Sequence, residues 1–341
     1  MQAVRSLTLY GIPDDHKVLV RSAGSGRLSV VAPGNCRVPW DLGDPRIALQ
    51  TAYIGGLTPS PRLKLSPVPR VVFNATANPE TNWTALGLAQ RVCAEALRRG
   101  MGVVNPPEAV ARTCREDVAE RLQGIERLHV PRVARYQALP ALLLLKRVES
   151  GELPFPFLIR TADGFGPGWI RIEGRETMRR LNLLPFDGRD FHVAPYRECR
   201  GTDGLYRRYR MIKVGERLFP RHLIFSDRWR VSVRDRPRIM QGRQDLADAE
   251  RAFLADPFGL LGKEQIGIIR EALTRVGLDY AALDFTLDPV DGLVLLQCDA
   301  CFDAFADDDS PPRATDTIGA IRRALCDLLL ARAGEEAVTQ S

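Results

Sequence analysis

The residues with the clearest chemical potential lie near the end of the chain, in the segment 279–300. Asp284 lies on one predicted strand, and Gln297 and Asp299 lie two residues apart on the next, so those two side chains share a face. A turn at 289–292, which contains an Asp-Gly pair, joins the strands as a hairpin. Oxygen ligands from adjacent strands suit Mg²⁺, which completes its shell with phosphate oxygens and water. Alternatively, these groups only line a half-exposed strand face.

A glycine-rich segment, TADGFGPGW (161–169), follows the predicted strand PFLIR (156–160). A return strand begins at RIEG, which makes the segment the tip of a β-hairpin rather than the loop of a strand-loop-helix phosphate site. Backbone N–H groups of such a tip can bind an anion. An ordinary turn also needs glycine, so the loop by itself is weak evidence.

Basic residues alternate along the predicted strand 206–215. Arg208 and Arg210 share one face, and Arg210 is the better candidate for a phosphate contact. His222 follows on the next strand. A single histidine in such a position is more often a structural residue than a catalyst.

Cysteine usage and hydropathy bear on the compartment. The seven cysteines are an odd number in a long chain whose first residues lack the pattern of a signal peptide, which favours reduced thiols in the cytoplasm. Cys298 and Cys301 form a CxxC motif, but no second CxxC or histidine pair accompanies it, so we interpret it as coincidental. The longest apolar run, 138–145, is too short to span a bilayer.

The net charge of +6 comes mostly from arginine and is spread along the 341 residues without a basic block. We therefore expect no nucleic-acid partner, and no membrane partner. A basic interior would serve polyanionic small molecules such as nucleotides equally well.

Alternating strands and helices must position these residues. A strand at 70–75, a helix at 84–100 and a strand at 102–105 predict a βαβ unit in a small N-terminal α/β domain. Helical spacing follows at 108–123, and the C-terminal half alternates between strands and helices. Its predicted elements are strands at 191–196, 206–215 and 217–226, helices at 245–256 and 262–276, the hairpin of 279–300, and a last helix at 314–333.

In this order, the segments resemble the ATP-grasp superfamily, specifically its RimK-like branch of carboxylate–amine ligases. VVFNA, VVNPP with ARTCRED, and HVPRV resemble its N-terminal domain and the entry to its central domain. PFLIR with TADGFGPG resembles its phosphate strand and loop, and FHVAPY with GTDGLYRRYRMIKVG resembles the interdomain hinge and its basic strand. DYAALDF with GLVLLQCDA resembles the magnesium hairpin.

The resemblance implies roles for particular residues. Arg115 and Arg160 fall where the family has basic phosphate ligands, and the family usually has lysine at the position of Arg160. Because the arginine side chain ends in a planar fork and not in a point charge, its contacts with phosphate must have a different geometry. Gly164, Phe165 and Gly166 would donate backbone N–H groups to the phosphates.

The resemblance also implies a nucleotide hinge. Val193, Ala194, Pro195 and Tyr196 would contact adenine through backbone groups, although the family's usual glutamate is missing here. The ribose candidates are Glu198 and Asp203. Arg160 and Arg210 would neutralise charge on the transferred phosphate, with Arg208 beside them.

The metal hairpin departs from the family pattern. The family usually has Glu and Asn where this chain has Gln297 and Asp299, so amide and carboxylate are exchanged. With Asp284, the trio keeps two negative charges. The exchange removes a bridging carboxylate at 297, which puts a two-metal arrangement in doubt.

These observations predict an α/β fold, α+β in its ATP-grasp part, with three units: an N-terminal α/β domain at 1–107, a central lobe at 108–192 and a C-terminal lobe at 193–341, with ATP between the lobes. The implied activity is ligation of a small-molecule or peptide carboxylate to an amine, with ATP and Mg²⁺ as cofactors. One alternative is a degenerate nucleotide-binding protein. The other is a non-enzymatic basic binding protein, whose arginines would gather on one outer face rather than in a cleft.

Overall fold

A computed structural model describes residues 3–22, 28–56, 68–288, 292–306 and 312–334 of the chain. The strands are β1 (Val4–Gly11), β2 (Leu19–Ser22), β3 (Leu28–Val31), β4 (Ile47–Ile54), β5 (Val71–Asn74), β6 (Gly102–Val104), β7 (Leu128–His129), β8 (Ala134–Tyr136), β9 (Phe157–Thr161), β10 (Ile170–Ile172), β11 (Phe191–Pro195), β12 (Tyr206–Val214), β13 (Arg217–Ser226), β14 (Tyr280–Asp288) and β15 (Gly292–Asp299). The α-helices are α1 (Trp83–Arg98), α2 (Pro107–Val110), α3 (Arg115–Leu122), α4 (Ala141–Glu149), α5 (Gln244–Ala255), α6 (Pro257–Val276) and α7 (Pro312–Arg332). A 3₁₀ segment covers Arg175–Leu183, and a π-helical turn covers Arg236–Met240.

The N-terminal sheet is parallel, with the strand order β4-β1-β5-β6. Its β5-α1-β6 connection is the predicted βαβ unit. Helix α1 buries Leu86, Ala89 and Cys93, which recur at helical spacing on one face. The chain leaves the helix at Gly100, whose φ of +76° suits glycine. Strand β4 escaped the sequence analysis because it lies at the sheet edge and buries only its two ends, so no regular alternation marks it.

The central sheet has the order β10-β9-β11-β8 and is antiparallel throughout. Strands β9 and β10 form the predicted hairpin around the glycine-rich loop 162–169, which hereafter is called the glycine loop. Gly164, Gly166 and Gly168 have φ of +79°, +90° and +77°, a region that side chains with Cβ rarely adopt. The loop conformation therefore depends on glycine at these three positions.

The C-terminal sheet has the order β13-β12-β14-β15-β7, in which only the β15–β7 pair is parallel. The predicted hairpin of 279–300 is present as β14 and β15, although its turn residues 289–291 lie outside the described part. A register shift after Asp284 leaves Leu296 without a partner on β14, a β-bulge. Buried apolar residues of α5, α6 and α7 belong to the hydrophobic core that includes this sheet.

The helical pattern at 108–123 does not form one helix, so that prediction is wrong in detail. Pro107 begins α2, which ends at Val110, and α3 begins only at Arg115. Between them, the Thr113 hydroxyl donates to the Val110 carbonyl at 2.7 Å, and Cys114 has an extended ψ of 150°. A side-chain hydrogen bond to the preceding turn competes with helix continuation.

The α/β fold class is confirmed by these layered sheets and helices. The unit boundaries at 107/108 and 192/193 stay predictions. Among the described residues, no helix has both the length and the apolarity to cross a membrane. All seven cysteines lie in the described part, and none forms a disulfide.

Candidate functional site

A cavity of about 640 Å³ lies between the central and C-terminal sheets. One side consists of residues from β9, the glycine loop and the end of β11, and the other of residues from β12, β14 and β15. Residues of α3 and of 131–133 add to the wall, as does the segment 227–235, which follows β13 and is called the β13 loop below. The predicted site residues in the wall are Arg115, Arg160, Gly164, Gly166, Ala194, Pro195, Tyr196, Arg208, Asp284, Gln297 and Asp299.

Asp284 is the most strongly held group of the metal trio. Its carboxylate accepts hydrogen bonds from Arg210 at 2.6 and 2.7 Å and from Arg208. Strand register places Arg210 directly opposite Asp284 across β12 and β14. Burial would raise the pKa of this carboxyl, but the charges of Arg210 and Arg208 lower it below the ordinary range.

Gln297 and Asp299 form a chain that starts at Arg115. The Arg115 guanidinium donates to Gln297 Oε1 at 3.1 Å, and the Gln297 amide donates to Asp299. The other Asp299 oxygen accepts the Cys301 backbone N–H at 2.9 Å, and burial raises the pKa of Asp299. A neutral amide at 297 can contact a carboxylate and an arginine simultaneously. Glutamate there would instead place two carboxylates against each other.

Strand register places the three side chains of the trio close together. Gln297 is directly opposite Asp284, and Asp299 is opposite Ala282, so the three side chains lie on one face of the hairpin. The donors they offer to a metal are oxygen atoms, which fits the preference of Mg²⁺.

Arg115 and Arg160 form a pair of like charges that both lie close to Trp169. Their guanidinium carbons lie 5.5 and 5.7 Å from the centroid of the Trp169 ring. Burial and the neighbouring Arg115 lower the pKa of Arg160 to about 10, and burial lowers that of Arg115. Among the described residues, neither has a carboxylate within 4 Å. An anion between them would relieve the mutual repulsion.

The glycine loop passes directly over Arg160. A Cβ on Gly164 would lie 2.6 Å from Arg160 Nη2, so glycine is required there for the close approach as well as for its φ. Phe165 does not line the cavity; it is 53% exposed, and Arg189 lies 4.4 Å above its ring. Its predicted contact would use the backbone N–H, which donates to Asp163 Oδ1 at 2.9 Å.

The predicted hinge lies at the far end of the cavity. Ala194, Pro195 and Tyr196 line it, whereas the Val193 side chain is buried in the core of the central sheet. The Tyr196 ring meets Trp229 edge-on at 5.8 Å between centroids, and the Arg171 guanidinium lies 4.4 Å from the Tyr196 centroid. This end of the cavity is therefore aromatic, as a base-binding surface would be.

Besides Phe165 and Val193, three predicted residues lie outside the cavity wall. Glu198 is exposed, and its nearest basic partner is Arg171 at 3.8 Å. Asp203 is held by Arg207 at 2.6 and 3.0 Å. Arg210 is turned onto Asp284 and leaves the wall position to Arg208. The ribose and phosphate roles of these three stay predictions.

Sequence reasoning missed several groups in the wall. Trp169 and Trp229 contribute rings, and the β13 loop contributes Arg230 and Arg234. The cluster of Trp and Arg within nine residues was the available signal. The loop has no strand or helix period, so nothing in the sequence indicated which way it faces.

His222 and the CxxC cysteines do not add to the site's chemistry. His222 is 2% exposed and opposite Arg210 in register, and burial together with Arg210 lowers its pKa far below the ordinary value. Cys298 is buried on β15, and burial raises the pKa of Cys301 to about 12. A neutral histidine and protonated thiols agree with structural roles.

A second polar cluster, called the Arg135 network below, lies behind Arg160. Arg135 pairs with Glu80 and Glu116, and with Asp190 at 3.2 Å. His192, which is 1% exposed, lies 2.9 Å from Glu116. Strand register places Arg160, His192 and Arg135 in one row across β9, β11 and β8.

No family model and no curated protein sequence matches the chain. Solved structures do match over nearly its whole length. The D-alanine–D-alanine ligase from Bacillus anthracis complexed with ATP is 9% identical, covers 97% of each chain and has a TM-score of 0.52. Macrocyclase MdnC from Microcystis aeruginosa MRC, bound with precursor peptide MdnA, is 13% identical, with 96% of this chain and 100% of that chain covered and a TM-score of 0.50.

A RimK domain protein ATP-grasp from Sphaerobacter thermophilus DSM 20745 is also similar, at 12% identity and a TM-score of 0.48, over 94% of this chain and 99% of that one. The two matches with TM-scores of 0.52 and 0.50 show a shared fold, and at identities of 9% and 13% they show the fold alone. The motif order and the structural neighbours agree: this chain has the ATP-grasp fold.

Proposed function

We propose that this protein is an ATP- and Mg²⁺-dependent ligase that activates a carboxylate and joins it to an amine. The observation that carries the proposal is the convergence of arginines without carboxylate partners on the cavity that also contains the acidic hairpin. Arg115, Arg160, Arg230 and Arg234 all line it, and within the described ranges none has a carboxylate within 4 Å. A triphosphate supplies the missing negative charge.

Whether the arginines line a cavity or an outer face distinguishes a nucleotide-dependent enzyme from a non-enzymatic basic binding protein. A non-enzymatic basic binding protein would present them on an outer face. Of the residues that the structure describes, seven arginines line one cavity: Arg115, Arg160, Arg197, Arg207, Arg208, Arg230 and Arg234. The arrangement favours a small polyanion over a nucleic-acid or protein surface.

The reaction would proceed in two steps. The substrate carboxylate attacks the γ-phosphorus of ATP, the bond to the β,γ-bridging oxygen breaks, and an acylphosphate and ADP form. The amine then attacks the acyl carbon, and phosphate leaves as the amide forms and the amine loses a proton. The chain contributes position and charge: Arg115 and Arg160 would hold the phosphates, and Arg208 and Arg210 would orient Asp284.

Asp284, Gln297 and Asp299 would hold Mg²⁺. The ion, when bound, would neutralise charge on the phosphates and polarise the transferred group. The other interactions with ATP would come from side chains of the cavity and from backbone N–H groups of the glycine loop.

A degenerate nucleotide-binding protein remains the second candidate, because a specific contact favours it. Both Asp284 oxygens are already paired with arginine, and residue 297 is a neutral amide. These pairs reduce the negative charge that the hairpin offers to a metal. ADP release in the presence of a carboxylate–amine pair would exclude this candidate.

The first experiment is calorimetry with Mg-ATP on the wild type and on the double variant Asp284→Asn with Asp299→Asn, with circular dichroism to establish folding. Binding that requires magnesium and is lost in the folded double variant supports the proposal. Wild-type protein that is folded but binds no Mg-ATP at millimolar nucleotide contradicts it. A positive result justifies screening amino acids and peptides for ADP release.

A further inference from the structure

The β13 loop reaches across the cavity to the central sheet at two points. Trp229 contacts Tyr196 at the hinge, as described above. Arg230 donates from Nη1 to the backbone carbonyl of Pro167 and, at 3.4 Å, to that of Trp169. Residues from opposite sides of the cavity are thus joined at the tip of the glycine loop.

The two halves of the glycine loop are held differently. The first half is held within the central lobe, where Asp163 pairs with Arg189 and the Thr161 hydroxyl donates to the Phe165 carbonyl at 2.6 Å. In the second half, Arg230 of the β13 loop donates hydrogen bonds to the backbone carbonyls of Pro167 and Trp169. Closure of this half over the cavity therefore depends on a residue from across it.

The β13 loop is well anchored and can serve as the fixed partner. Arg236, at its end, forms a buried pair with Glu250 of α5, with one hydrogen bond of 2.9 Å. Asp235 accepts the Ser232 N–H at 2.8 Å and a hydrogen bond from Arg238, also at 2.8 Å. By contrast, the glycine loop has three residues at positive φ and few internal contacts. We expect the glycine loop to be the part that moves.

Arg230 has no competing acidic partner. Within the described ranges no carboxylate lies within 4 Å of it, and its contacts are the two carbonyls of the glycine loop. It lies close to the loop backbone, since a Cβ on Gly168 would be 3.5 Å from Arg230 Nη1. By fixing the Trp169 carbonyl, it helps to place the Trp169 ring against Arg115 and Arg160.

We propose that Arg230 is a positioning residue that holds the glycine loop closed over the phosphate end of the cavity. The assignment of the enclosed ligand rests on the proposed function, whereas the contact itself rests on geometry alone. Arg230 would act through the loop, by reducing the escape of bound nucleotide and the entry of water.

The test compares Arg230→Met, which removes the donors, with Arg230→Lys, which restores one charged donor. Arg228→Met is the matched control, because Arg228 is in the same loop, its side chain is 71% exposed, and it does not line the cavity. Hydrogen exchange of the peptide covering 162–169 is measured by mass spectrometry, first without ligand and then with Mg²⁺ and a non-hydrolysable ATP analogue.

We expect exchange in 162–169 to become about tenfold faster in Arg230→Met without ligand, the size of losing one charged hydrogen bond. Arg230→Lys should recover part of the protection, and Arg228→Met should match the wild type. With the analogue, dissociation from Arg230→Met should be about tenfold faster than from the wild type.

The possible failures are separable. Equal exchange in the unliganded wild type and Arg230→Met would overturn the inference, whatever the protein binds. A difference in unliganded exchange, combined with no binding of the analogue by the wild type, would support the loop contact and contradict the proposed function. Equal loss of protection in Arg228→Met would assign the effect to the β13 loop as a whole and would also overturn the role of Arg230.

Discussion

The cavity and the Arg135 network use the same side chain in opposite ways. In the network, Arg135 is surrounded by Glu80, Glu116 and Asp190, so its charge is matched within the fold. In the cavity, Arg115 and Arg160 both lie against Trp169, and in the described ranges neither has a carboxylate within 4 Å.

The pKa shifts record the same contrast. Although burial opposes it, contacts with His192 and Arg135 lower the pKa of Glu116 to about 2. The pKa of Arg160 is lowered to about 10, because burial and Arg115 both disfavour its charge. Removing one partner of a largely buried ion pair is costly, because the other charge is left uncompensated, whereas two like charges in a low-dielectric site destabilise each other until an anion binds. The two regions should therefore respond differently to loss of an arginine.

The largest expected effect is on ligand affinity in the cavity. Arg115→Met combined with Arg160→Met should weaken Mg-ATP binding by about 1000-fold, since two charged hydrogen-bond donors are lost. The free energy of unfolding should stay equal or increase. Calorimetry and denaturant unfolding measure the two quantities, and Arg112→Met, an exposed change on the preceding turn, is the control. Unchanged Mg-ATP affinity in the double variant would contradict the idea that the cavity arginines bind an anion while Arg135 stabilises the fold.

In the network, the expected effect falls on stability. Arg135→Met leaves three carboxylates without their common counter-ion, and it should lower the free energy of unfolding by about 3 kcal/mol. Denaturant unfolding at pH 7 checks this value, and Arg132→Met is an exposed control nearby. If Arg135→Met instead left stability intact and abolished nucleotide binding, the network would belong to the site.

A pH experiment isolates the contribution of Glu116. Because its folded pKa of about 2 lies below the ordinary value of 4.5, its contribution is complete above pH 4.5 and is lost as the pH falls towards 2. We expect about 2 kcal/mol of wild-type stability to depend on this group over that interval. Glu116→Gln should flatten the stability profile there, measured by urea unfolding at several pH values. An unchanged slope would contradict the pairing.

The smallest effects are expected for Glu198→Gln and Asp203→Asn. Both residues lie outside the cavity wall, and loss of the exposed Asp203–Arg207 pair costs at most about 1 kcal/mol of stability. Mg-ATP affinity should change less than about twofold. A tenfold loss of Mg-ATP affinity in either variant would support that residue as the ribose contact and would show that the binding site includes residues outside the cavity wall.

The sequence predicted features that depend on neighbouring residues, and it did not predict contacts between residues far apart in the chain. The hairpin β14–β15 and the glycine loop are local structures with strong turn and alternation signals, so they were predictable. The shared face of Arg208 and Arg210 followed from the strand period. Their pairing with Asp284 did not, because it depends on the register of β12 against a strand some seventy residues later.

Loops limited the site prediction. Glu198 and Asp203 lie between β11 and β12, where no periodicity fixes the direction of a side chain. Trp229 and Arg230 lie in an irregular segment for the same reason. Local patterns indicated the elements of the cavity, and long-range packing determined which polar groups reached it.

The path of the chain between the two sheets limits how the cavity can change width. The chain crosses from the C-terminal to the central sheet between β7 and β8, and it returns between β11 and β12. The two crossings run close together, since Arg197 Nη1 in the second lies 3.5 Å from His129 Nδ1 beside the first. Two adjacent covalent links restrain the two sheets where they lie. These links lie near the aromatic end, so we expect any change in the width of the cavity to displace the glycine loop more than the aromatic end.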